Sequence, residues 1–95
     1  MGNVFEVKDK TGRKIRLTRE QWNHIKTEHP GIEEEEVKLA IITPIKIVEK
    51  TNNKYFYYQY LKYKKLPFRF LRVIVKYLNG EGFVITSYLR EKISE

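Results

Sequence analysis

The stretch FRFLRVIVKYLNGEGFVITSYL, residues 68–89, is rich in β-branched and aromatic side chains and has the turn sequence NGEG near its middle. Side chains of these types favour strands, and Asn-Gly favours a tight turn. The stretch therefore predicts two antiparallel strands joined by a short turn. It decides the fold because alternation along a strand assigns each side chain to one of two sheet faces.

The preceding segment, from Ile45 onward, has the same character. It reads IKIVEKT, then the turn residues NN, then KYFYYQYL, and a basic loop KYKKLP leads into the stretch above. These runs predict two further strands. Residues 45–89 are therefore expected to form a four-stranded antiparallel sheet in meander order.

Two helices are predicted ahead of these strands. Thr18 begins the capping-box sequence TREQ, and apolar residues follow at helical spacing over residues 19–28. Pro30 ends this first helix, because the residue before a proline is pushed out of the helical region. A second helix follows and ends before Pro44, with a run of glutamates in its first turn that is most simply a solvated, dipole-matched helix start.

The N-terminal segment, residues 1–18, alternates polar and apolar side chains and turns through DKTG, which predicts a short hairpin. The complete expectation is a single α+β domain over residues 1–95. It comprises the N-terminal hairpin, two helices within residues 19–43, and then the four-stranded antiparallel sheet.

Composition narrows the function classes. There is no cysteine, which excludes disulfides, thiol nucleophiles and cysteine-rich zinc sites. No apolar run is long enough to span a membrane, and the first residues lack a signal-peptide core, so a cytoplasmic protein without a membrane partner is expected. No cofactor is expected.

The formal net charge of +7 is unevenly distributed. Residues 1–45 carry eight Lys or Arg and eight Asp or Glu, whereas residues 46–95 carry eleven and four. The second half also holds eleven of the thirteen aromatic residues. Cations neutralise phosphate and rings stack on unpaired bases, so this half is typical of a nucleic-acid partner. A charged surface of the thermophile type on an ordinary strand-rich core is the alternative.

Alternation along the last two predicted strands gathers a polar set on the open face of the sheet: Arg72, Lys76, Thr86 and Tyr88. The core set predicted for the last strand is Phe83, Ile85 and Leu89. Two cations with two hydroxyls make a candidate phosphate site, although such residues also serve only to keep a sheet face soluble. Further RNA contacts are expected from Tyr58, Lys62, Lys64, Lys65 and Arg90.

The two histidines of the first helix differ in direction. Helical spacing returns His29 close to Trp22, so His29 is interpreted as a helix-end residue near the core. His24 lies at the flank of the buried stripe, from which a side chain can reach past the sheet edge. Their spacing is poor for shared metal ligation, so no metal site is expected.

The residue order T-x-x-x-W-x-H-I-x-x-x-H-P, a helix ending in a proline, tyrosine-rich strands, V-I-V-K and a final V-I-T-S-Y covers residues 14–90. This order resembles the small phage and prokaryotic branch of the barnase, EndoU, colicin and RelE-like nuclease superfamily. The resemblance implies two N-terminal helices followed by a four-stranded antiparallel sheet. It also implies metal-independent cleavage of RNA, in which the substrate's own 2′-hydroxyl attacks the adjacent phosphorus.

By this resemblance His24 would be the general acid or base, Arg72 and Lys76 would stabilise the phosphate charge, and hydroxyls at Thr86 and Tyr88 would donate hydrogen bonds. A toxin-like ribonuclease of this kind would need a neutralising antitoxin or inhibitor protein. Two alternatives stay open. One is a catalytically inactive RNA- or protein-binding module of the same fold, and the other is a subunit or inhibitor whose tyrosine-rich strand pairs with a partner chain.

Overall fold

The computed structural model describes residues 2–93, so the ends of the predicted domain lie outside the described residues. In chain order the elements are β1 (Asn3–Lys8), β2 (Lys14–Thr18), α1 (Arg19–Glu28), α2 (Glu34–Ile42), β3 (Lys46–Glu49), β4 (Lys54–Tyr60), β5 (Phe70–Leu78) and β6 (Glu81–Arg90). The architecture is α+β with two helices. Neither helix in the described part of the chain is long and apolar enough to cross a membrane.

The strands form one six-stranded sheet in the order β1-β2-β6-β5-β4-β3. Neighbouring strands are antiparallel except β2 and β6, which pair in parallel through Ile15 opposite Gly82 and Arg16 opposite Phe83. The predicted four-stranded antiparallel sheet with a separate N-terminal hairpin was therefore wrong. β1 and β2 belong to the same sheet, and β2 covers the edge of β6 at Gly82 and Phe83.

Two features hold the parallel pair together. A Cβ placed on Gly82 would lie 2.8 Å from Cε1 of Tyr77 and 3.0 Å from Cγ1 of Ile15, so only glycine fits at this contact. On the opposite face Arg16 contacts Glu6 of β1 at 2.7 Å and Glu81 of β6 at 2.8 Å. Arg16 thus links three neighbouring strands at their surface.

Both helices pack on one face of the sheet. Thr18 Oγ1 accepts the backbone N–H of Gln21 at the start of α1, and Trp22 and Ile25 are the buried residues of that helix. α2 adds Val37, Ala40 and Ile41 to the same core, and the sheet contributes side chains from five strands, β1, β2, β4, β5 and β6. The opposite sheet face carries the side chains of the other parity.

A β-bulge in β6 changes which of its residues face the core. The register of β5 with β6 shifts between Ile74, opposite Thr86, and Val75, opposite Val84. Val84 therefore lies in the core, and Phe83 is half-buried opposite Lys76. The prediction that Phe83 and Ile85 belong to the core set was wrong, because Ile85 is the extra residue of the bulge and one extra residue reverses the alternation beyond it.

A buried carboxylate fastens the β1–β2 turn to the sheet. Asp9 is 5% exposed. Its Oδ1 accepts hydrogen bonds from the backbone N–H and hydroxyl of Thr11 and from the backbone of Arg13, while Oδ2 accepts the hydroxyl of Tyr57 at 2.6 Å. The hydroxyl oxygen of Tyr77 lies 2.5 Å from that of Tyr57. We call Asp9, Thr11, Tyr57 and Tyr77 the Asp9 cluster.

The pKa values of the Asp9 cluster follow from these bonds. Burial acts to raise the pKa of Asp9, but the hydrogen bonds from Thr11, Tyr57 and the backbone of Arg13 outweigh it and hold the pKa below its ordinary value. Burial and the neighbouring carboxylate raise the pKa of Tyr57. The cluster is therefore an anion satisfied by donors from its own chain.

Candidate functional site

The sheet face opposite the helices carries a buried arginine among aromatic rings. Arg72 in β5 is 6% exposed, and its guanidinium carbon lies 4.7 Å from the ring centre of Phe56, 5.3 Å from that of Tyr58 and 5.5 Å from that of Tyr88. Its Nε donates to the Tyr58 hydroxyl at 2.8 Å and its Nη1 to the Tyr88 hydroxyl at 3.0 Å. We call these four residues the Arg72 cluster.

Cross-strand register explains how the sequence builds the Arg72 cluster. Tyr58 in β4 lies directly opposite Arg72 in β5, and Arg72 lies directly opposite Tyr88 in β6. Directly opposed side chains have their Cβ atoms about 4.5–5.5 Å apart, which lets both rings reach the guanidinium. Three neighbouring strands therefore fix the orientation of one cation.

The electrostatics of Arg72 favour its charged form. Burial works against the charge, but the hydrogen bonds to Tyr88 and Tyr58 outweigh it, so the pKa of the guanidinium lies above its ordinary value. Phenol hydroxyls carry no charge at neutral pH. These two hydrogen bonds orient the planar guanidinium, which has five N–H donors in all.

His29 lies beside the Arg72 cluster. It is the C-cap residue of α1, and its ring centre lies 5.4 Å from that of Tyr88 with the two planes tilted by 45°. His24 is exposed on the outer face of α1, in a shallow groove lined by its own helix, including Asn23 and Thr27. The histidine interpreted as structural is thus the one that contacts a predicted site residue.

The remaining predicted site residues lie further along the same face. Thr86 is opposite Ile74, next to the Arg72 pair, and Lys76 is one more pair along, opposite Lys54. The face therefore carries Arg72, Thr86, Tyr88 and Lys76 in neighbouring rows, but Arg72 is buried there and does not lie on an open surface. Arg72 with Tyr88 is the pair that direct hydrogen bonding joins.

The basic loop between β4 and β5 divides into anchored and exposed lysines. Lys64 Nζ contacts Glu36 at 3.1 Å and donates to the backbone carbonyl of Gly31, while Tyr63 donates to the same carboxylate at 2.6 Å. The hydrogen bond to Glu36 raises the pKa of Tyr63 to about 12. Glu36 is buried, so it is not the solvated glutamate expected. Lys62 and Lys65 are exposed.

A shallow, open cavity of about 470 Å³ lies where the end of α1 meets the end of β6. His29, Phe68, Tyr88 and Arg90 are among its lining residues. Tyr88 and His29 belong both to this cavity and to the surroundings of Arg72. Arg90, which was predicted to contact RNA, lines this cavity. Tyr58, predicted for the same role, is fully buried in the Arg72 cluster, so its ring is not exposed for such a contact.

Sequence reasoning missed two contributors to this site. The sequence does not assign Phe56 to a face, because aromatic side chains occupy both faces of β4; its register with Val48 and Ile74 places it on the face of Arg72. His29 was missed because its neighbour Tyr88 is remote in sequence. An aromatic residue ending a strand and a histidine ending a helix give no local signal of contact.

Within residues 2–93, no group of three or more His, Cys, Asp or Glu side chains is placed to hold a metal ion. Comparison of the chain with known protein families, with curated proteins and with solved structures finds no match. Function therefore has to be inferred from the residues of the site.

Proposed function

We propose that the protein is a metal-independent endoribonuclease that acts on the sheet face carrying the Arg72 cluster. The observation that supports this most is the oriented guanidinium of Arg72 with a histidine on the far side of Tyr88. Cleavage of RNA through its own 2′-hydroxyl needs a base, an acid and a cation for the phosphorane, and this group supplies the cation at Arg72 and one acid-base residue at His29.

In the proposed reaction the 2′-oxygen attacks the adjacent phosphorus as a base removes the 2′-hydroxyl proton. The bond from phosphorus to the 5′-oxygen breaks, and an acid gives that oxygen a proton. The products are a 2′,3′-cyclic phosphate and a free 5′-hydroxyl. Arg72 would stabilise the charge that grows on the non-bridging oxygens, and His29 would exchange protons at one end of the bond.

This assignment gives the acid or base role to His29 rather than to His24. His29 contacts Tyr88, which is bonded to Arg72, whereas His24 faces outward on α1. Lys76 and Lys54, on the same face, would extend the binding of phosphates along the RNA backbone. A cytoplasmic location and a neutralising antitoxin or inhibitor belong to the proposal on the strength of the sequence alone.

The activity test uses purified protein with a chelator, incubated with labelled RNA and with the all-deoxy equivalent. Cleavage of RNA alone, leaving cyclic phosphate ends, is the expected result. Absence of cleavage across a range of pH and salt, with RNA still bound, would favour the inactive RNA-binding module instead.

The two histidines provide a matched pair of variants in one helix. His29→Ala is expected to lower the cleavage rate by roughly 10²- to 10⁴-fold, which is the usual contribution of a general acid or base. His24→Ala should retain the rate of the parent protein. The reverse result, with His24→Ala inactive and His29→Ala active at unchanged melting temperature, would restore the assignment made by resemblance and reject this one.

A further inference from the structure

The cavity at the junction of α1 and β6 is lined for a flat, aromatic and polar ligand. Rings of His29, Phe68 and Tyr88 line it together with the aliphatic side chain of Leu89. Glu28 and Arg90, of opposite charge, also line it. It is shallow and open, with a volume of about 470 Å³, so an occupant would lie against these side chains without being enclosed.

Phe68 distinguishes this cavity from a gap in the core. The side chain is 50% exposed, although a phenyl ring normally contributes most when it is covered. It lies in the segment between β4 and β5, which Lys64 and Tyr63 tie to Glu36. An exposed ring on an anchored segment is a stacking platform of the kind that single-stranded nucleic acids use.

We propose that this cavity is a subsite for one unpaired base of an RNA strand whose phosphate lies at Arg72. The inference rests on the proposed function and names its substrate class as single-stranded RNA. Tyr88 joins the two places, because its hydroxyl accepts from Arg72 while its ring lines the cavity. A nucleobase fits this lining because its aromatic face can stack on the rings and its edges can form hydrogen bonds with the polar side chains.

Base-paired RNA does not fit this arrangement. In a duplex each base is stacked between neighbours and its Watson–Crick edge is occupied, so it reaches a side pocket only after it is unstacked and unpaired. The cavity therefore selects loops, ends and other unpaired segments, while the cations of the sheet face contact the backbone regardless of sequence.

The experiment uses short 2′-O-methyl RNA, which cannot be cleaved by 2′-oxygen attack, with 2-aminopurine as a fluorescent base at one position. Stacking on aromatic rings quenches this fluorophore. Saturable quenching by the parent protein is expected, with affinity lowered roughly 5- to 150-fold in Phe68→Ala, which corresponds to the usual value of one base stacked on an aromatic ring. Leu66→Ala, an exposed neighbour that does not line the cavity, should bind as the parent does.

Equal affinity and equal quenching for Phe68→Ala and the parent protein would overturn the subsite. The same conclusion follows if the strand annealed to its complement binds and is quenched as strongly as the single strand. Melting temperatures of both variants establish that each is folded at the assay temperature.

The two proposals fail in different ways. Normal cleavage of RNA together with no effect of Phe68→Ala rejects the subsite and leaves the nuclease proposal intact. Quenching that depends on Phe68, from a protein that cleaves no RNA, retains the base subsite as part of a binding module and rejects the nuclease.

Discussion

The Asp9 cluster and the Arg72 cluster are opposite solutions to the burial of one charge on the two faces of the same sheet. Asp9 accepts from backbone, threonine and tyrosine donors near a chain turn, and its interactions hold β1 and β2 to the core face. Arg72 donates hydrogen bonds to tyrosine hydroxyls and lies over aromatic rings, with partners on both neighbouring strands. The two side chains are equally buried, at 5% and 6% exposure, but Asp9 is bonded within a turn, whereas Tyr88, which bonds Arg72, also lines the cavity at the end of β6.

Of the two clusters, the Arg72 cluster is expected to have the larger effect on turnover. Arg72→Lys keeps a positive charge but loses the planar guanidinium, and loss of one preorganised donor typically lowers turnover about 10²- to 10³-fold. Initial rates of RNA cleavage measure this loss. The parallel substitution Arg69→Lys is the control, because Arg69 donates instead to the backbone of its own loop. If Arg72→Lys cleaves at the parent rate, the planar guanidinium, as distinct from its charge, has no part in the reaction.

Asp9→Asn is expected to affect stability rather than activity. Replacing the carboxylate weakens charge-assisted hydrogen bonds, each of which contributes about 1.5–3 kcal/mol to the free energy of unfolding. Denaturant unfolding at pH 7 measures the loss, and the rate per folded molecule should be unchanged. Lys10→Gln changes an exposed residue of the same turn and serves as the control. A large loss of rate in folded Asp9→Asn would mean that the two clusters are not separate.

The pH dependence of stability sharpens the same comparison. The pKa of Asp9 is lower in the folded protein, so its contribution is present above the unfolded pKa of about 3.9 and is lost as pH falls through the folded value. Unfolding free energies of the parent and Asp9→Asn should therefore converge below about pH 4. A constant difference between the two proteins from pH 7 to pH 2 would show that the carboxylate charge is not responsible.

The smallest effects are expected in the basic loop. Lys65→Ala should leave the melting temperature unchanged and lower the salt dependence of RNA binding by about 0.7 in slope, the value for one phosphate of a single strand. Lys64→Ala should instead lower the melting temperature, because Lys64 contacts buried Glu36. Fluorescence anisotropy over a salt series measures the slopes. Identical behaviour of the two variants would remove the distinction between anchored and exposed lysines.

Local patterns predicted the parts of this fold that local interactions determine. α1 spans the predicted residues because a threonine cap, helical spacing and a following proline all act within a few residues. The pairing of β2 with β6 is different, because nothing near Ile15 indicates that Gly82 will lie beside it. The prediction of which β6 side chains face the core was wrong for a related reason, since a bulge follows from packing against the neighbouring strand.

The candidate site divides in the same way. Arg72, Tyr88 and Thr86 were grouped from alternation, which holds on each side of the bulge. The contact of His29 with Tyr88 depends on the path of the chain between α1 and β6, which no spacing rule describes. The nuclease activity and the role of each residue stay predictions.

The parallel pairing of β2 with β6 also sets a requirement on the order of assembly. Ile15 and Gly82 lie near opposite ends of the chain, so this contact closes a very long loop, a step whose entropic cost grows with loop length. β6 also carries Tyr88, so the strand that pairs with β2 also provides a hydroxyl that accepts a hydrogen bond from Arg72. Without β6, β2 would lose its parallel partner and Arg72 would lose its hydrogen bond to Tyr88. The arrangement around Arg72 therefore forms only after the whole sheet has folded.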